Sequence, residues 1–529
     1  MEIMRRRHLL VVGVACVALL VSCSAAREPI LVSSVDADEP ANETSNSTDD
    51  TATSVVDDVV PERPRVAPES TDSFAVRDIT WSVLEPGVDE GWLEVPLRYD
   101  EPDGDMISVY VVRHRATDTS KRIGSLLVNP GGPGFGGSYL ALYADQIYDP
   151  ELLSAFDIVG WDPRGTGESN PSIDCIADYD PFFAEIDITP DSIDEQNELV
   201  ARAQEFADRC VDNGEIVNYV GTNNAARDMD VLRRALGEQT ISYFGFSYGS
   251  ELGATWATLF PTTVRAAVLD GAADPDADAL QSTLQQLEGF ERALDTFLAR
   301  CSADNQCALH NGGDAEGAFD ALMASLDESP VPTVSGRPPA NLAVAINAVI
   351  EAMYSEYYWP DLEQALDAAA KGRGAQLLEL HDSYFQRQAD GTYGNELEAF
   401  QTITCADTID RASVDDENAL VTEYRSVAPR LVPEGSLGSY FCTFFPAPVD
   451  PRVSITGDGA GPIVVIGTTG DPATPLASTE AMANALEDGR LVIVEADQHT
   501  GYGVNRCVVD VVNDYLIDLV PPDSGTECR

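Results

Sequence analysis

Short apolar segments separated by glycine-rich turns recur along this chain of 529 residues. Residues 92–99 and 107–114 alternate apolar and polar positions, as half-buried antiparallel strands do. Later segments are apolar at consecutive positions, which is typical of parallel strands that are covered on both faces. The pattern predicts an α/β fold with a mostly parallel sheet of about eight strands and helices on both faces. The later segments are residues 125–128, 156–161, 241–246, 266–269, 463–466 and 491–494.

The strand pattern is interrupted between residues 269 and 463. Much of this stretch has the spacing of amphipathic helices, with residues 280–299 and 362–384 as the clearest examples. We therefore predict a helical cap inserted between two halves of one sheet. The predicted boundaries are 73–274 for the first half of the core, 275–400 for the cap and 401–529 for the second half.

The N-terminus has the pattern of an export signal. Three arginines precede an apolar run, residues 9–21, that is too short to span a bilayer. The sequence Leu20-Val21-Ser22-Cys23 resembles a bacterial lipobox, which implies that residues 1–22 are removed and that Cys23 carries lipid. The alternative is an ordinary signal peptide cut near Ala25 or Ala26.

Residues 23–72 follow as a lipidated cysteine and an acidic segment that contains no aromatic residue. Such a segment cannot bury enough apolar surface to offset its ordering entropy, so we predict a disordered tether. We expect a cell-envelope lipoprotein on the outer face of the cytoplasmic membrane, with secretion as a further possibility. The lipid is the only membrane contact that we predict.

The formal net charge of −57 excludes some partners. Lys121 and Lys371 are the only lysines, so a nucleic acid or an anionic lipid surface would find few cations to replace its counterions. We interpret the acidity as a solubility property and predict no nucleic-acid partner.

The cysteines that follow Cys23 are even in number, which suggests disulfides in an exported chain. We favour pairs of neighbours in sequence, although the number of cysteines alone leaves the pairing open. Histidines are few and no CxxC pair exists, so we predict no metal site and no cofactor. The favoured pairs are Cys175 with Cys210, Cys301 with Cys307, Cys405 with Cys442, and Cys507 with Cys528.

A candidate nucleophile is Ser247, in Gly245-Phe246-Ser247-Tyr248-Gly249. This G-x-S-x-G sequence follows an apolar run and precedes a predicted helix, which is the setting of a strained turn that exposes the serine hydroxyl. A serine hydroxyl is a weak nucleophile and needs a neighbouring base.

His499 is the candidate base, because it is the only histidine that follows a late predicted strand. Asp471, in a loop after residues 463–466, is the candidate acid that orients the imidazole, and the order along the chain is serine, acid, histidine. Asp497 is a competitor, but two residues before the base it is expected to point elsewhere.

An oxyanion hole is predicted from Gly131 and Gly132 together with the backbone amide of Tyr248. The two glycines follow the strand 125–128 in Asn129-Pro130-Gly131-Gly132-Pro133-Gly134, where they let amides approach a developing negative charge. We favour Gly132 over Gly131. A phosphate-binding loop is excluded because no Lys-Ser or Lys-Thr follows.

Six segments stand in this order along the chain: 129–134, 160–169, 228–230, 245–249, 470–475 and 498–501. Together they resemble the tripeptidyl aminopeptidase branch of the prolyl-aminopeptidase-like serine peptidases. The resemblance covers roughly residues 75–529. It implies an α/β-hydrolase core, a helical cap over the site, export or lipid anchoring, and removal of short peptides from free N-termini. Prolyl aminopeptidases begin the oxyanion loop with histidine, and Asn129 in that place favours the tripeptidyl branch.

The leading hypothesis is an exported serine aminopeptidase that removes short peptides, in the leading interpretation tripeptides, through an acyl-enzyme on Ser247. The alternative is an esterase or lipase with the same fold and triad, because neither fixes the leaving group. An aminopeptidase needs an acidic group for the free amine of its peptide substrate. Asp407 is our first candidate, Glu351 and Glu356 are rivals, and the oligomeric state is left open.

Overall fold

The computed structural model describes residues 67–529, and their strands form a single sheet. Because the export signal, Cys23 and residues 23–66 of the predicted tether precede Ala67, those predictions lie outside the described residues. The predicted tether boundary at residue 72 is wrong, since the buried Thr71 hydroxyl already donates to Asp230 on the folded core. Over the described part, the sheet contains ten strands: β1 (Ser82–Glu85), β2 (Val88–Pro96), β3 (Met106–His114), β4 (Gly124–Asn129), β5 (Phe156–Trp161), β6 (Ile241–Phe246), β7 (Val264–Asp270), β8 (Ile463–Thr468), β9 (Gly489–Val494) and β10 (Thr526–Cys528).

The strands lie in the order β1-β2-β3-β5-β4-β6-β7-β8-β9-β10. Strands β1 to β3 run antiparallel and β3 joins β5 antiparallel, whereas every pair from β5 to β10 is parallel. The sheet is therefore mostly parallel, as predicted, but two strands wider than the predicted eight. The extra strands, β1 and β10, are four and three residues long and form the two edges, where short strands carry little pattern.

Helices cover the sheet and fill the long insertion. Within residues 67–529, fifteen α-helices are present: α1 (Ser138–Leu142), α2 (Ala144–Ile147), α3 (Pro150–Ala155), α4 (Ile193–Val211), α5 (Thr222–Ala235), α6 (Tyr248–Leu259), α7 (Ala279–Ala303), α8 (Ala315–Glu328), α9 (Leu342–Met353), α10 (Trp359–Ala370), α11 (Ala375–Tyr384), α12 (Glu396–Asp407), α13 (Val414–Val427), α14 (Leu476–Ala485) and α15 (Arg506–Asp518).

Two hydrophobic cores form on opposite faces of the sheet because side chains alternate along each strand. In β4, Leu127 packs in the core that contains residues of α5, α6 and α14. Its neighbours Leu126 and Val128 pack in the core that contains residues of α1, α3 and α15. Continuous apolar runs therefore reflect burial on both faces, as the sequence indicated.

Helices α7 to α13, which we call the inserted helices, all lie between β7 and β8 along the chain. Much of this region has a core of its own, to which α7, α8, α9, α10 and α11 contribute. The predicted stretch 362–384 is two helices, because the chain turns at Gly372, where φ is +78°. The predicted boundary at residue 400 falls inside α12, and the last inserted helix ends at Val427.

Disulfides tie these elements together. The structure pairs the eight cysteines of the described region as neighbours in sequence, the pairing that we favoured. One bond closes α15 against the edge strand β10, and another joins α12 to residue 442. None of the helices described here is long and apolar enough to cross a membrane. The bonds are Cys175–Cys210, Cys301–Cys307, Cys405–Cys442 and Cys507–Cys528.

A fully buried ion pair joins two of the segments that carry the family resemblance. The Arg164 side chain is 0% exposed, and its Nη2 lies 2.6 Å from Oδ1 of Asp228 on α5. Arg164 also donates to the carbonyl oxygens of Pro96, Leu97 and Tyr219. A buried charge is tolerated when it is paired and its remaining donors are satisfied, and this guanidinium meets both conditions.

Asp228→Ala should therefore destabilise the protein severely. Removing the carboxylate leaves Arg164 charged and unpaired, which costs about 3–5 kcal/mol. Chemical denaturation of wild type and variant measures the change in the free energy of unfolding. Glu205→Ala, which breaks an ion pair between half-exposed side chains on α4, is the control and should change stability by less than about 1 kcal/mol. Equal, small losses in both variants would contradict this account.

Candidate active site

Ser247 occupies a strained turn between β6 and α6. Its φ is +55°, a value that non-glycine residues rarely adopt, and its amide donates to the carbonyl oxygen of Asp270 at 2.8 Å. A Cβ on Gly245 would lie 2.3 Å from the carbonyl oxygen of Gly249. The turn can close only because these two positions lack side chains, and it leaves the Ser247 side chain at the carboxyl edge of the sheet.

Asp471 and His499 are in direct contact. Nδ1 of His499 lies 2.9 and 3.0 Å from the two carboxylate oxygens of Asp471, which is fully buried. The amides of Ala473, Thr474 and Thr500 and the Thr474 hydroxyl also donate to this carboxylate. The many donors hold the carboxylate in one orientation, and it in turn orients the imidazole.

The histidine is also held from the inserted helices. Its backbone amide donates to the carbonyl oxygen of Tyr354, directly after α9, at 2.8 Å, and the two rings lie 5.7 Å apart edge to face. Burial by itself lowers the pKa of His499, but the charge and hydrogen bond of Asp471 and the charge of Asp270 outweigh it, so the pKa is raised. The structure thus stabilises an imidazolium at this position.

Nε2 of His499 is buried and has no hydrogen-bond partner anywhere in residues 67–529. The Ser247 hydroxyl therefore does not bond to it in this structure. Such contacts are often long before a substrate binds, so this geometry does not argue against a serine–histidine pair. A nitrogen that is shielded from water and free to accept a proton is what a general base requires.

The glycine-rich loop after β4 lies directly against the serine turn. A Cβ on Gly131 would lie 2.4 Å from the carbonyl oxygen of Phe246 and 3.0 Å from the amide nitrogen of Tyr248. The Gly131 amide donates to Oδ1 of Asn129, whereas the Gly132 amide has no acceptor within the described chain. Tyr248 begins α6, and the first amides of a helix are unpaired and electropositive. Gly132 and Tyr248 thus offer the available amides.

Asp407, our first candidate for the peptide amine, already has partners. At the end of α12, its two oxygens accept from the Thr222 amide at 2.7 Å and from the Thr222 hydroxyl at 2.5 Å. The same hydroxyl lies 2.5 Å from the Tyr248 hydroxyl, so Asp407 is linked to the residue after the nucleophile. Burial raises the pKa of Asp407 to about 7, although both Thr222 bonds oppose the rise.

The two rivals differ sharply from each other. Glu351 on α9 is largely buried, and one of its oxygens accepts from the Ser383 hydroxyl at 2.6 Å. Burial raises its pKa, and the carboxylate is close enough to Tyr354, the ring beside His499, to affect the pKa of that phenol. Glu356 is exposed and forms an ion pair with Arg300 at 2.7 Å. Of the two rivals, Glu351 is therefore the one whose charge acts on a residue that contacts His499.

Asp497, the competitor for the acid, forms an ion pair with Arg300 instead of contacting the imidazole. The sequence reasoning missed Asp270 and Tyr354, both of which contact the serine or histidine segments. Asp270 carried a usable signal, because it is an acidic residue directly after the apolar run of residues 266–269. Tyr354 carried none, since its role depends on how the inserted helices fold back.

Comparisons with known proteins were consistent with this geometry. Residues 124–505 match the alpha/beta hydrolase fold family. The chain is 36% identical to the serine protease Hip1 of Mycobacterium tuberculosis over 466 residues, covering 83% of this chain and 86% of that protein. It is 35% identical to carboxylesterase B of the same organism over 82% of this chain and 85% of that protein.

A further relative is the tripeptidyl aminopeptidase of Streptomyces coelicolor. It is 30% identical over 477 residues, which cover 85% of this chain and 83% of that protein. The residues that match the family, 124–505, include the serine turn, the acid loop and the histidine loop. The chain therefore belongs to the α/β-hydrolase family.

Proposed function

We propose that this chain is an exported serine aminopeptidase that removes short peptides, in the leading interpretation tripeptides, from free N-termini. The observation that carries the proposal is the Asp471–His499 contact, which leaves Nε2 free, together with the strained turn at Ser247. Relatives named serine protease and tripeptidyl aminopeptidase support the peptidase class.

In the proposed reaction, the Ser247 oxygen attacks the scissile carbonyl while Nε2 of His499 takes the hydroxyl proton. Asp471 stabilises the imidazolium, and the amides of Gly132 and Tyr248 donate to the oxyanion. The imidazolium then gives its proton to the leaving amine, and an acyl-enzyme forms on Ser247. Water activated by His499 attacks the ester, which releases the short peptide and restores the serine.

Ser247→Ala and His499→Ala should each lower kcat by about 10⁴-fold or more, because the members of a triad act as a unit. Neither side chain contributes to a hydrophobic core, so the melting temperature should change little. Hydrolysis of a tripeptide anilide measures kcat, and circular dichroism checks the fold. Near wild-type turnover in a folded Ser247→Ala protein would exclude this mechanism.

We further propose that Glu351 receives the free amine of the peptide. Its second oxygen has no donor within the described residues, and a largely buried carboxylate forms a strong charge-assisted hydrogen bond with an ammonium. Both oxygens of Asp407 are engaged by Thr222, and Arg300 neutralises Glu356, so these two carboxylates are less suited.

Glu351→Gln should raise KM for a tripeptide anilide at least about 10-fold, since a lost charge-assisted bond is worth 1.5 kcal/mol or more. It should leave butyrate ester hydrolysis largely unchanged, because the ester has no amine. Steady-state kinetics on the free tripeptide anilide, its N-acetyl form and the ester separate these effects. The N-acetyl form should be a poor substrate for both proteins.

The matched control is Glu398→Gln. Glu398 is another buried carboxylate of the inserted helices, but the Tyr179 hydroxyl and the Ile176 amide occupy its two oxygens. Glu398→Gln should therefore keep the wild-type preference for the free over the acetylated peptide. Equal wild-type rates on the free and acetylated anilides would reject the aminopeptidase proposal and favour the esterase alternative, with which the carboxylesterase relative is consistent.

Lipid anchoring through Cys23 is the remaining part of the proposal. Acyl chains add membrane affinity with each buried methylene, so a multiply acylated Cys23 should anchor the protein stably. Cys23→Ala should move the protein from the detergent phase to the aqueous phase of a Triton X-114 partition. A wild-type protein that is already aqueous and begins at another residue would remove the lipoprotein assignment.

A further inference from the structure

We infer that Asp270 is a positioning residue that holds the His499 loop at a fixed distance from the Ser247 turn. This inference rests on the serine–histidine site proposed above, and it adds a residue to which no role in the reaction has been given. Asp270 is the last residue of β7 and is 0% exposed.

Asp270 bonds to both sides of the site at once. Its carbonyl oxygen accepts from the Ser247 amide at 2.8 Å, which fixes the base of the strained turn. Its carboxylate oxygens accept from the amides of Gly501 and Tyr502, each at 2.7 Å. These amides lie two and three residues after His499. Asp270 is therefore hydrogen-bonded both to the turn that contains Ser247 and to the loop that contains His499.

Only a carboxylate satisfies both of these amides. Asparagine has one acceptor oxygen, and its amide group would face the second N–H as another donor. A side chain without an acceptor would leave two buried N–H groups unpaired, which costs about 1–3 kcal/mol for each. The structure therefore has a specific need for aspartate at the end of this strand.

Gly271, the residue after Asp270, lies close to the His499 ring. A Cβ on Gly271 would lie 3.1 Å from Cε1 of His499, and the Gly271 amide donates to Ile466 at the end of the neighbouring strand β8. The strand end that contains Asp270 thus lies directly beside the imidazole. A shift of the loop by about 1 Å could cost 10²-fold in rate, since reaction requires close alignment of the reacting atoms.

The charge of Asp270 acts on the same histidine. Burial raises the pKa of Asp270 to about 7, although the Gly501 and Tyr502 amides oppose this, and the titratable groups that face it are His499, Asp471 and Tyr502. Ionised Asp270 raises the pKa of His499. Removing this charge should therefore lower the pKa of His499 and move the acid limb of kcat/KM to lower pH.

The test is Asp270→Asn, assayed with p-nitrophenyl butyrate between pH 5 and 9. We expect kcat to fall about 10- to 100-fold with KM nearly unchanged, because Asp270 does not touch the substrate. The acid limb should also shift to lower pH. A variant with wild-type kcat, or one that is slower with an unshifted acid limb, would overturn the inference, because a purely structural loss does not alter the pKa of the base.

Asp157→Asn is the matched control. Asp157 is also buried and accepts from the Ala116 amide and the Arg122 guanidinium, but it lies at the start of β5, at the sheet edge opposite the site. It should lower the melting temperature without changing kcat or the pH profile. A shifted acid limb in this control would also overturn the assignment to Asp270.

Two further measurements keep the inference testable. If Asp270→Asn does not fold, Asp270→Glu keeps both acceptor oxygens but moves them by one methylene, so kcat should fall while the acid limb stays near that of wild type. Wild-type kcat in Asp270→Glu would contradict the positioning role. The second measurement is fluorophosphonate labelling of the wild-type protein. Failure of the wild-type protein to be labelled at Ser247 would instead reject the proposed function. If the wild-type protein hydrolyses only esters, Asp270→Asn can still be compared with it on the ester.

Discussion

The strained backbone at Ser247 is the constraint on which the rest of the site depends. A non-glycine residue at φ +55° costs on the order of 1–3 kcal/mol, so it persists only where the surroundings enforce it. Here the enforcement is close backbone packing, because Gly131 lies against Phe246 with no room for a Cβ. The same packing brings the amides of the glycine-rich loop next to the serine. The strained residue and the loop that we propose as an oxyanion hole therefore depend on the same close packing.

The inserted helices form part of the site as well as covering it. Ser355 forms an isolated antiparallel bridge with Gln498, the Glu356 amide donates to the Asp497 carbonyl oxygen, and the His499 amide donates to Tyr354. Arg300 forms ion pairs with Glu356 on one side and Asp497 on the other. The base segment is thus paired with the insertion, and a movement of α9 would displace the histidine backbone. The position of His499 depends on the insertion and the sheet together.

The sequence predicted the central strands because each strand buries both faces, and burial is visible as a continuous apolar run. It missed β1 and β10, whose few residues form edges, and it joined α10 to α11 because periodicity continues across the break at Gly372. Asp471 and His499 could be found from their places after strands. Tyr354 and the Thr222 partner of Asp407 could not, since both contacts join segments more than 100 residues apart.

The chain has 89 acidic residues, so acidity alone says little about role, and the donors around each carboxylate distinguish one from another. Asp471 faces three amides, a hydroxyl and the imidazole, which hold the carboxylate in one orientation. Asp270 faces two amides of the histidine loop, which leaves it suited to holding backbone in place. Glu351 faces a single hydroxyl, which leaves one oxygen for a cation from outside. A buried carboxylate with fewer internal donors gains more from an arriving ammonium, and this ordering supports our proposal that Glu351, rather than Asp270 or Asp471, receives the peptide amine.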